Sequence, residues 1–227
     1  MRFPGSPLSL PGVSGLVVIT GGEGGLARAL AAAFTAAGHP VLSPGRRELD
    51  VTDEHAVRAF FREHPAELLI CNAGITRDAP LARLDEAAWD EVMAVNLRGA
   101  AACAAAAARS MLRARCGHLV FISSRSALHP PHGQAAYAAA KAGLFGLAKS
   151  LARELGPAGI RVNTILPGFL DTPMTAALSE ERREQVRHEH VLDRFNTPEA
   201  AAEFVVHLHD HLPHTSGQVF QLDSRIS

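Results

Sequence analysis

One tyrosine and one lysine lie a single helical turn apart in this sequence, and together they could transfer a proton. Tyr137 is the only tyrosine among the 227 residues, and Lys141 is one of only two lysines. A spacing of i and i+4 places both side chains on one face of a helix. An ammonium group beside a phenol stabilises the phenolate and lowers its pKa from about 10 toward neutral pH, where acid–base catalysis works best. The pair predicts a proton-transfer site in which Tyr137 is the acid.

A serine that precedes this tyrosine could hold the oxygen that receives the proton. Ser124 follows a predicted strand, at a sheet edge where a substrate oxygen could sit. A Ser-Ser pair at a strand end more often forms a turn or a cap. Ser124 is therefore a candidate only in combination with Tyr137.

A glycine-rich segment, residues 20–27 (TGGEGGLA), lies between a predicted strand and a predicted helix. Glycines let the backbone approach a pyrophosphate, and the helix N-terminus offers free N–H groups and a partial positive charge. Turns of this composition are common, so the strand and helix around the segment carry the prediction of a dinucleotide site. The predicted contacts in this loop are Thr20, Gly21, Gly22, Glu23, Gly25 and Leu26.

The end of the second predicted strand should decide between the two nicotinamide dinucleotides. A carboxylate there would accept the ribose hydroxyls of NAD, whereas a basic residue would accompany a 2′-phosphate. The segment 43–47 (SPGRR) has no carboxylate and contains Arg46 and Arg47, which predicts NADP(H) over NAD(H). Two solvated surface arginines are the alternative interpretation, and Glu23 argues against additional negative charge in the loop.

Short β-branched segments alternate with longer helical patterns, which predicts an α/β fold. The predicted strands are Leu16–Thr20, Pro40–Ser43, Leu49–Val51, Leu68–Cys71, Leu119–Ser123, Val162–Leu166 and Val219–Leu222. The predicted helices are Leu26–Ala37, Asp53–Glu63, Asp85–Arg113, Gln134–Leu155 and Pro198–His209. We expect a flexible tail over residues 1–14 and, over 15–227, a single Rossmann-type domain: a doubly wound parallel sheet of about seven strands with helices on both faces. In such sheets ligands bind beyond the carboxyl ends of the strands.

Composition argues against several other classes of protein. A formal net charge of −1 disfavours a nucleic-acid-binding protein, and the longest apolar segment, Gly99–Ala108, is too short to cross a bilayer. Three cysteines, Cys71, Cys103 and Cys116, lack metal-ligand spacing, which favours free thiols in the cytoplasm and predicts no metal site.

With these motifs the chain resembles the short-chain dehydrogenase/reductase family along nearly its whole length. The resemblance rests on Thr20, Gly21 and Gly25, on Cys71-Asn72-Ala73-Gly74, and on Asn96, Ser124, Tyr137, Lys141 and Pro167-Gly168. It implies that Ser124 polarises the carbonyl, Tyr137 donates the proton, Lys141 lowers the tyrosine pKa and binds the nicotinamide ribose, and Asn96 positions a proton-relay water. The further cofactor contacts that it implies are Asp50, Val51, Asn72, Ala73, Gly74, Pro167, Gly168, Leu170 and Thr172.

Within the family, the segments Asn72–Asp78 and Gln134–Gly143 are most similar to 3-oxoacyl-[acyl-carrier-protein] reductases and acetoacetyl-CoA reductases. This similarity implies NADPH-dependent reduction of a 3-oxoacyl thioester in fatty acid biosynthesis and a homo-oligomer, either a dimer or a tetramer. Arg109, Arg113 and Arg115 would dock the acidic carrier protein. A solvated helix end, favoured by the helix dipole, explains the same arginines equally well.

Two other functions remain open from the sequence. The first is an NAD(P)-dependent dehydrogenase of a small secondary alcohol, a sugar or a steroid, with the same catalytic residues. The second is a dinucleotide-binding regulator without turnover, which the complete set of Asn96, Ser124, Tyr137 and Lys141 disfavours because binding alone does not need a tuned phenol.

Overall fold

In the part of the chain that the structure describes, six parallel strands form a central sheet in the order β2-β1-β3-β4-β5-β6. The computed structural model describes residues 15–170 and 179–226. Every strand pair in the sheet is parallel, as expected for strands connected through helices. The strands are β1 (Val17–Ile19), β2 (Val41–Leu42), β3 (Leu68–Cys71), β4 (Gly117–Ile122), β5 (Ile160–Leu166) and β6 (Val219–Gln221).

Helices cover both faces of this sheet. They are α1 (Gly25–Ala36), α2 (Glu54–Glu63), α3 (Glu86–Met93), α4 (Ala100–Ala114), α5 (Ala135–Leu155), α6 (Glu180–His188) and α7 (Pro198–His211). Buried residues of α2, α4 and α5 form one hydrophobic cluster with the sheet, and those of α1 and α7 form a second cluster. The strands are almost fully buried because both faces are covered, which explains their continuous apolar sequences. The predicted doubly wound fold is confirmed.

The predicted strand at Leu49–Val51 is wrong, and the sheet has six strands among the described residues rather than about seven. This segment forms turns, in which the backbone N–H groups of Glu48 and Leu49 donate to the Gly45 carbonyl. Leu49 and Val51 are nevertheless buried in the hydrophobic cluster of α2 and α4. Apolar side chains mark a segment for burial, but burial against a helix face needs no strand pairing.

The predicted helix Asp85–Arg113 contains a break in its regular hydrogen bonding. A π-helical stretch, Ala94–Gly99, separates α3 from α4, and it carries Asn96 into a buried position. Such insertions are rare and often occur at functional sites. The predicted tail 1–14 and the predicted contact Thr172 lie outside the described residues. Within the described ranges, none of the helices combines the length and hydrophobicity required to cross a bilayer.

Candidate active site

A cavity of about 1000 Å³ lies along the carboxyl ends of β1, β3, β4 and β5. This is the edge at which a doubly wound sheet binds its ligands. The cavity brings together most of the predicted site residues, which come from distant parts of the chain: Gly21, Glu23, Gly25, Leu26, Arg46, Asp50, Val51, Asn72, Ala73, Gly74, Ser124, Tyr137, Lys141, Pro167, Gly168 and Leu170. Thr20, Gly22 and Asn96 do not line the cavity and support its walls from behind.

A hydrogen-bonded clamp joins the ends of β1 and β3. The buried Thr20 hydroxyl accepts hydrogen bonds from the backbone N–H groups of Asn72 and Ala73, each at 3.1 Å. In return, the Asn72 side-chain amide donates to the Thr20 carbonyl at 3.1 Å. Thr20 therefore holds the start of the glycine loop against the segment after β3.

The glycine loop approaches its neighbours too closely for side chains. A Cβ on Gly22 would lie 1.9 Å from the Ser43 carbonyl oxygen, and one on Gly21, whose φ is +71°, would lie 2.8 Å from the Ala73 Cα. Gly24 caps α1 without a side-chain hydrogen bond, so the first N–H groups of the helix face the cavity without a side-chain cap. A cradle of this kind fits a dinucleotide pyrophosphate.

Charges of both signs surround the end of the cavity nearest to β2. Arg46 and Asp50 line it and form an exposed ion pair with 3.4 Å between Nε and Oδ2. Hydrogen bonds from Thr52 are the largest cause that lowers the pKa of Asp50, and the Arg46 charge adds to the effect. The hydroxyl of Ser43, at the end of β2, is buried and lacks a hydrogen-bond partner among the described residues. An arginine and an unsatisfied hydroxyl suit a phosphate, whereas Asp50 suits ribose hydroxyls.

Asn96 supports the cavity wall through the backbone of Ile75. Its side-chain oxygen accepts from the Ile75 N–H at 2.9 Å, and its side-chain amide donates to the Ile75 carbonyl at 2.8 Å. A Cβ on the neighbouring Gly74 would lie 2.7 Å from the Asn96 oxygen. The π-helical stretch thus fixes the position of the segment after β3. The predicted role of Asn96 in a water relay stays a prediction.

Lys141 lies at the base of the cavity and is almost completely buried, with 4% of its surface exposed. Its ammonium group donates to the Ile122 carbonyl at 2.8 Å and lies 5.7 Å from the centre of the Tyr137 ring. Burial lowers the pKa of Lys141 from 10.5 to about 8. The predicted i, i+4 pair on one helix is therefore present in α5, and its ammonium group stands between the phenol and the end of β4.

The phenol of Tyr137 is less acidic than the sequence suggests. Burial is the largest cause that changes its pKa and raises it above 10, and the charge of Asp78 raises it further. A hydrogen bond with Ser124 acts in the opposite direction. The prediction that Lys141 brings the tyrosine pKa toward neutral is wrong for this structure, because desolvation of the phenol outweighs its neighbours.

The segment after β5 closes the cavity on the side of the C-terminal tail. Gly168 has a φ of +89°, and a Cβ there would lie 2.6 Å from the Asp223 Cβ. The Pro167 carbonyl accepts a hydrogen bond from the Asn196 side chain at 2.8 Å, and Leu170 forms a β-bridge with Asn196. Pro167, Gly168 and Leu170 are therefore held by residues that are distant in sequence.

Several cavity residues have no counterpart among the sequence predictions. Arg125 follows Ser124 directly, whereas Arg182, Glu189 and Arg225 come from α6, the segment after it and the C-terminal tail. Gln134, which precedes α5, donates to the Asp78 carboxylate at 2.7 Å and accepts from the Ser126 hydroxyl at 2.9 Å. The position of Arg125 beside the candidate serine was the one available signal in the sequence.

The three arginines predicted to bind a carrier protein lie away from the cavity of their own chain. Arg109, Arg113 and Arg115 are exposed, and Arg115 donates to the Pro157 carbonyl at 2.9 Å. Helical rise places Arg115 roughly 28 Å along the axis from Asn96. The end of α4 precedes β4, so these arginines lie at the amino edge of the sheet, opposite to the edge that bears the cavity.

One cluster of potential metal ligands lies at the same amino edge. Nitrogen and oxygen atoms of His39, His209 and Asp210 lie within 4.8 Å of one another. The Arg161 guanidinium, which can only donate, lies 3.3 Å from Nδ1 of His209. A guanidinium next to these atoms disfavours a second cation, and the absence of a metal site stays a prediction.

Comparisons with known proteins agree with this architecture. Residues 16–224 match the family model described as Enoyl-(Acyl carrier protein) reductase. The chain is similar to the 3-oxoacyl-[acyl-carrier-protein] reductase MabA of Mycobacterium tuberculosis (strain ATCC 25618 / H37Rv), with 39% identity over 94% of this chain and 93% of the relative. It is 36% identical to the 3-oxoacyl-[acyl-carrier-protein] reductase FabG of Aquifex aeolicus (strain VF5), over 91% of this chain and 94% of that protein.

A solved structure supports the same relationship. The chain resembles an oxidoreductase of the short chain dehydrogenase/reductase family from Burkholderia thailandensis with a TM-score of 0.86 and 29% sequence identity. The match covers 92% of this chain and 91% of the other. Since the family model and the relatives both span almost the entire described chain, the protein is an oxidoreductase of the short-chain dehydrogenase/reductase family.

Proposed function

We propose that the protein uses NADPH to reduce the 3-oxo group of a 3-oxoacyl thioester to a 3-hydroxyacyl thioester, with Tyr137 as the proton donor. The observation that carries the proposal is the arrangement of Ser124, Tyr137 and Lys141 on one cavity behind a glycine cradle. Similarity to proteins named 3-oxoacyl-[acyl-carrier-protein] reductase supports the substrate class. Members of this family bind a nicotinamide dinucleotide.

The positions of the site residues support separate roles in binding the dinucleotide, donating to the substrate oxygen and stabilising charge. Asn72, the glycine loop and the uncapped N-terminus of α1 would hold the dinucleotide, which supplies a hydride when bound, and Thr20 would support the loop from behind. Ser124 and Tyr137 both line the cavity, and their hydroxyls would both donate to one substrate oxygen. The Lys141 ammonium lies behind the phenol and would stabilise the negative charge that proton donation leaves there.

The raised pKa of Tyr137 keeps the phenol in the protonated form that the reductive step requires. A phenol with a pKa above 10 remains protonated at neutral pH and is ready to donate. The reverse reaction would require the phenolate as a base, which forms only at higher pH. We therefore expect the rate of reduction to be retained near pH 7 and the rate of oxidation of the 3-hydroxy product to increase with pH.

Replacement of Tyr137 with phenylalanine tests the mechanism and distinguishes the enzyme from a regulator without turnover. Tyr137→Phe removes only the hydroxyl, so we expect NADPH to bind as it does to the wild type while acetoacetyl-CoA reduction falls by about 10² to 10⁴. NADPH fluorescence titration and absorbance at the nicotinamide band measure the two quantities. Undiminished reduction by the variant would refute Tyr137 as the donor.

The choice of NADP(H) over NAD(H) depends on Arg46. If its guanidinium binds a 2′-phosphate, Arg46→Ala should weaken NADPH binding by about tenfold or more and leave NADH binding nearly unchanged. Arg47→Ala is the matched control, because Arg47 is not among the residues that line the cavity. Equal losses with both cofactors would assign Arg46 a structural role.

A reductase of the carbon–carbon double bond is the second candidate, because the matching family model is described as an enoyl reductase. Two hydroxyl donors on the same cavity, those of Ser124 and Tyr137, favour the carbonyl reaction, in which the substrate oxygen becomes an alcohol. Assays of acetoacetyl-CoA and crotonoyl-CoA in parallel distinguish the two reactions. A panel of small ketones and secondary alcohols in the same assay tests the dehydrogenase of small alcohols.

Docking of an acyl carrier protein at Arg113 and Arg115 forms a separate part of the proposal. Because both lie at the amino edge of the sheet, a carrier bound there would serve the cavity of a neighbouring subunit in a homo-oligomer. Arg113→Glu combined with Arg115→Glu should raise KM for a 3-oxoacyl carrier protein by about tenfold and leave KM for acetoacetyl-CoA unchanged. An equal rise for both substrates would refute carrier docking at this site.

A further inference from the structure

The substrate side of the cavity contains a guanidinium group without a full set of partners. Arg125 directly follows Ser124 and lines the cavity, and 20% of its side chain is exposed. Its Nε–H is buried and has no hydrogen-bond partner among the residues that the structure describes. Burial of an unpaired charged donor costs free energy, so such a group in a cavity wall indicates a ligand that completes its hydrogen bonds.

A second arginine and a carboxylate lie beside it. Glu189, which follows α6, has its Oε2 atom 3.6 Å from Arg125 NH1 and 3.7 Å from Arg225 NH1. Both distances exceed a hydrogen bond, so the Glu189 carboxylate stands between two guanidinium groups without being bound tightly by either. Arg225 is 9% exposed and is fixed by its pairing with the buried Asp223 carboxylate.

We infer that Arg125 and Arg225 form an anion-binding subsite that recognises a carboxylate or a phosphate on the oxo substrate. Glu189 occupies the place of that anion in the structure, and a substrate anion would displace it. A guanidinium fork suits the planar or tetrahedral oxygens of either group. The inference rests on the proposed function, since it names a feature of the substrate whose 3-oxo group is reduced.

The subsite and the adenosine end of the cavity lie at opposite sides of the sheet. Arg46 and Asp50 follow β2, whereas Arg225 follows β6, and these two strands are the outer strands of the described sheet. The 3-oxo group at Ser124 would therefore lie between the dinucleotide and the recognised anion. The subsite would therefore help to determine which oxo compound is reduced. The anion that it binds would belong to this compound and not to the dinucleotide.

Three acetoacetyl compounds test the subsite. Acetoacetate has a carboxylate, acetoacetyl-CoA has phosphates, and ethyl acetoacetate is neutral. The measured quantity is the ratio of kcat/KM for each anionic compound to kcat/KM for the ester. We expect Arg125→Ala to lower one of these ratios by about 10- to 100-fold. A lower ratio for acetoacetate would identify the recognised anion as a carboxylate, and a lower ratio for acetoacetyl-CoA would identify it as a phosphate.

A second variant should change selectivity in the opposite direction. Glu189→Gln removes the competing carboxylate and should raise, by about two- to fivefold, the kcat/KM ratio that Arg125→Ala lowers. Arg153→Ala, an exposed arginine of α5, is the matched control and should leave both ratios at their wild-type values. Ratios that stay constant in Arg125→Ala and Glu189→Gln would overturn the subsite while leaving the reductase in place. Failure of the wild type to reduce any of the three compounds would refute the proposed function itself.

Discussion

Because Lys141 is buried, we expect it to lower the free energy of unfolding by an amount that depends on pH. In the folded protein the pKa of this lysine is lowered to about 8, against 10.5 in the unfolded chain. Between these two values the unfolded chain binds one more proton than the folded protein, so the contribution of Lys141 to stability rises with pH. Lys141→Met removes this titration and, with it, the contribution of Lys141 to the pH dependence of stability.

The size of the effect follows from the two pKa values. Below pH 8 the lowered pKa of Lys141 reduces the free energy of unfolding by roughly 3 kcal/mol, at about 1.36 kcal/mol for each pKa unit. Of this cost about 2 kcal/mol is relieved between pH 7 and pH 9.5. The hydrogen bond from the charged Lys141 ammonium group to the Ile122 carbonyl opposes the cost by about 1–3 kcal/mol. The difference in stability between wild type and Lys141→Met should therefore move by about 2 kcal/mol in favour of the wild type over this range.

Urea unfolding of both proteins at pH 7, 8 and 9.5 measures this difference. The raised pKa of the Cys103 thiol affects both proteins and cancels when the two are subtracted, whereas the pKa of the Cys71 thiol, which the Lys141 charge lowers, is itself changed by the substitution. Lys149→Met is the matched control, because Lys149 lies on the same helix and is exposed. A stability difference between wild type and Lys141→Met that is constant with pH would show that the ammonium group is well solvated and would refute the reasoning.

Two further substitutions test the walls of the cavity. Thr20→Val leaves the N–H groups of Asn72 and Ala73 without their acceptor and should lower the free energy of unfolding, measured in urea, by about 2–4 kcal/mol. Thr20→Ser keeps the hydroxyl and should retain most of the wild-type stability. Equal stabilities of the two variants would contradict the clamp. Gly22→Ala should weaken NADPH binding at least about tenfold in a fluorescence titration, since its Cβ would meet the Ser43 carbonyl. Gly146→Ala, which meets no atom within 4 Å, should bind NADPH normally, and normal binding by Gly22→Ala would contradict the close approach.

Local geometry made part of the site predictable from the sequence. The relation between Tyr137 and Lys141 depends only on helix periodicity, and the glycine loop depends on a strand followed by a helix. Both are short-range features, so the residues themselves determine them. The alternation of strands and helices likewise predicts the sheet and the edge at which its ligands bind.

Long-range burial decided what the sequence left open. The apolar side chains of Leu49 and Val51 led to the prediction of a strand, and only the packing of α2 and α4 decided that they are buried in a turn instead. The proximity of Lys141 to Tyr137 was predictable, whereas the raised pKa of the phenol was not, because desolvation depends on every segment that surrounds it. Arg125, Glu189 and Arg225 come from three distant segments, and only the tertiary structure brings their charges together at the cavity wall.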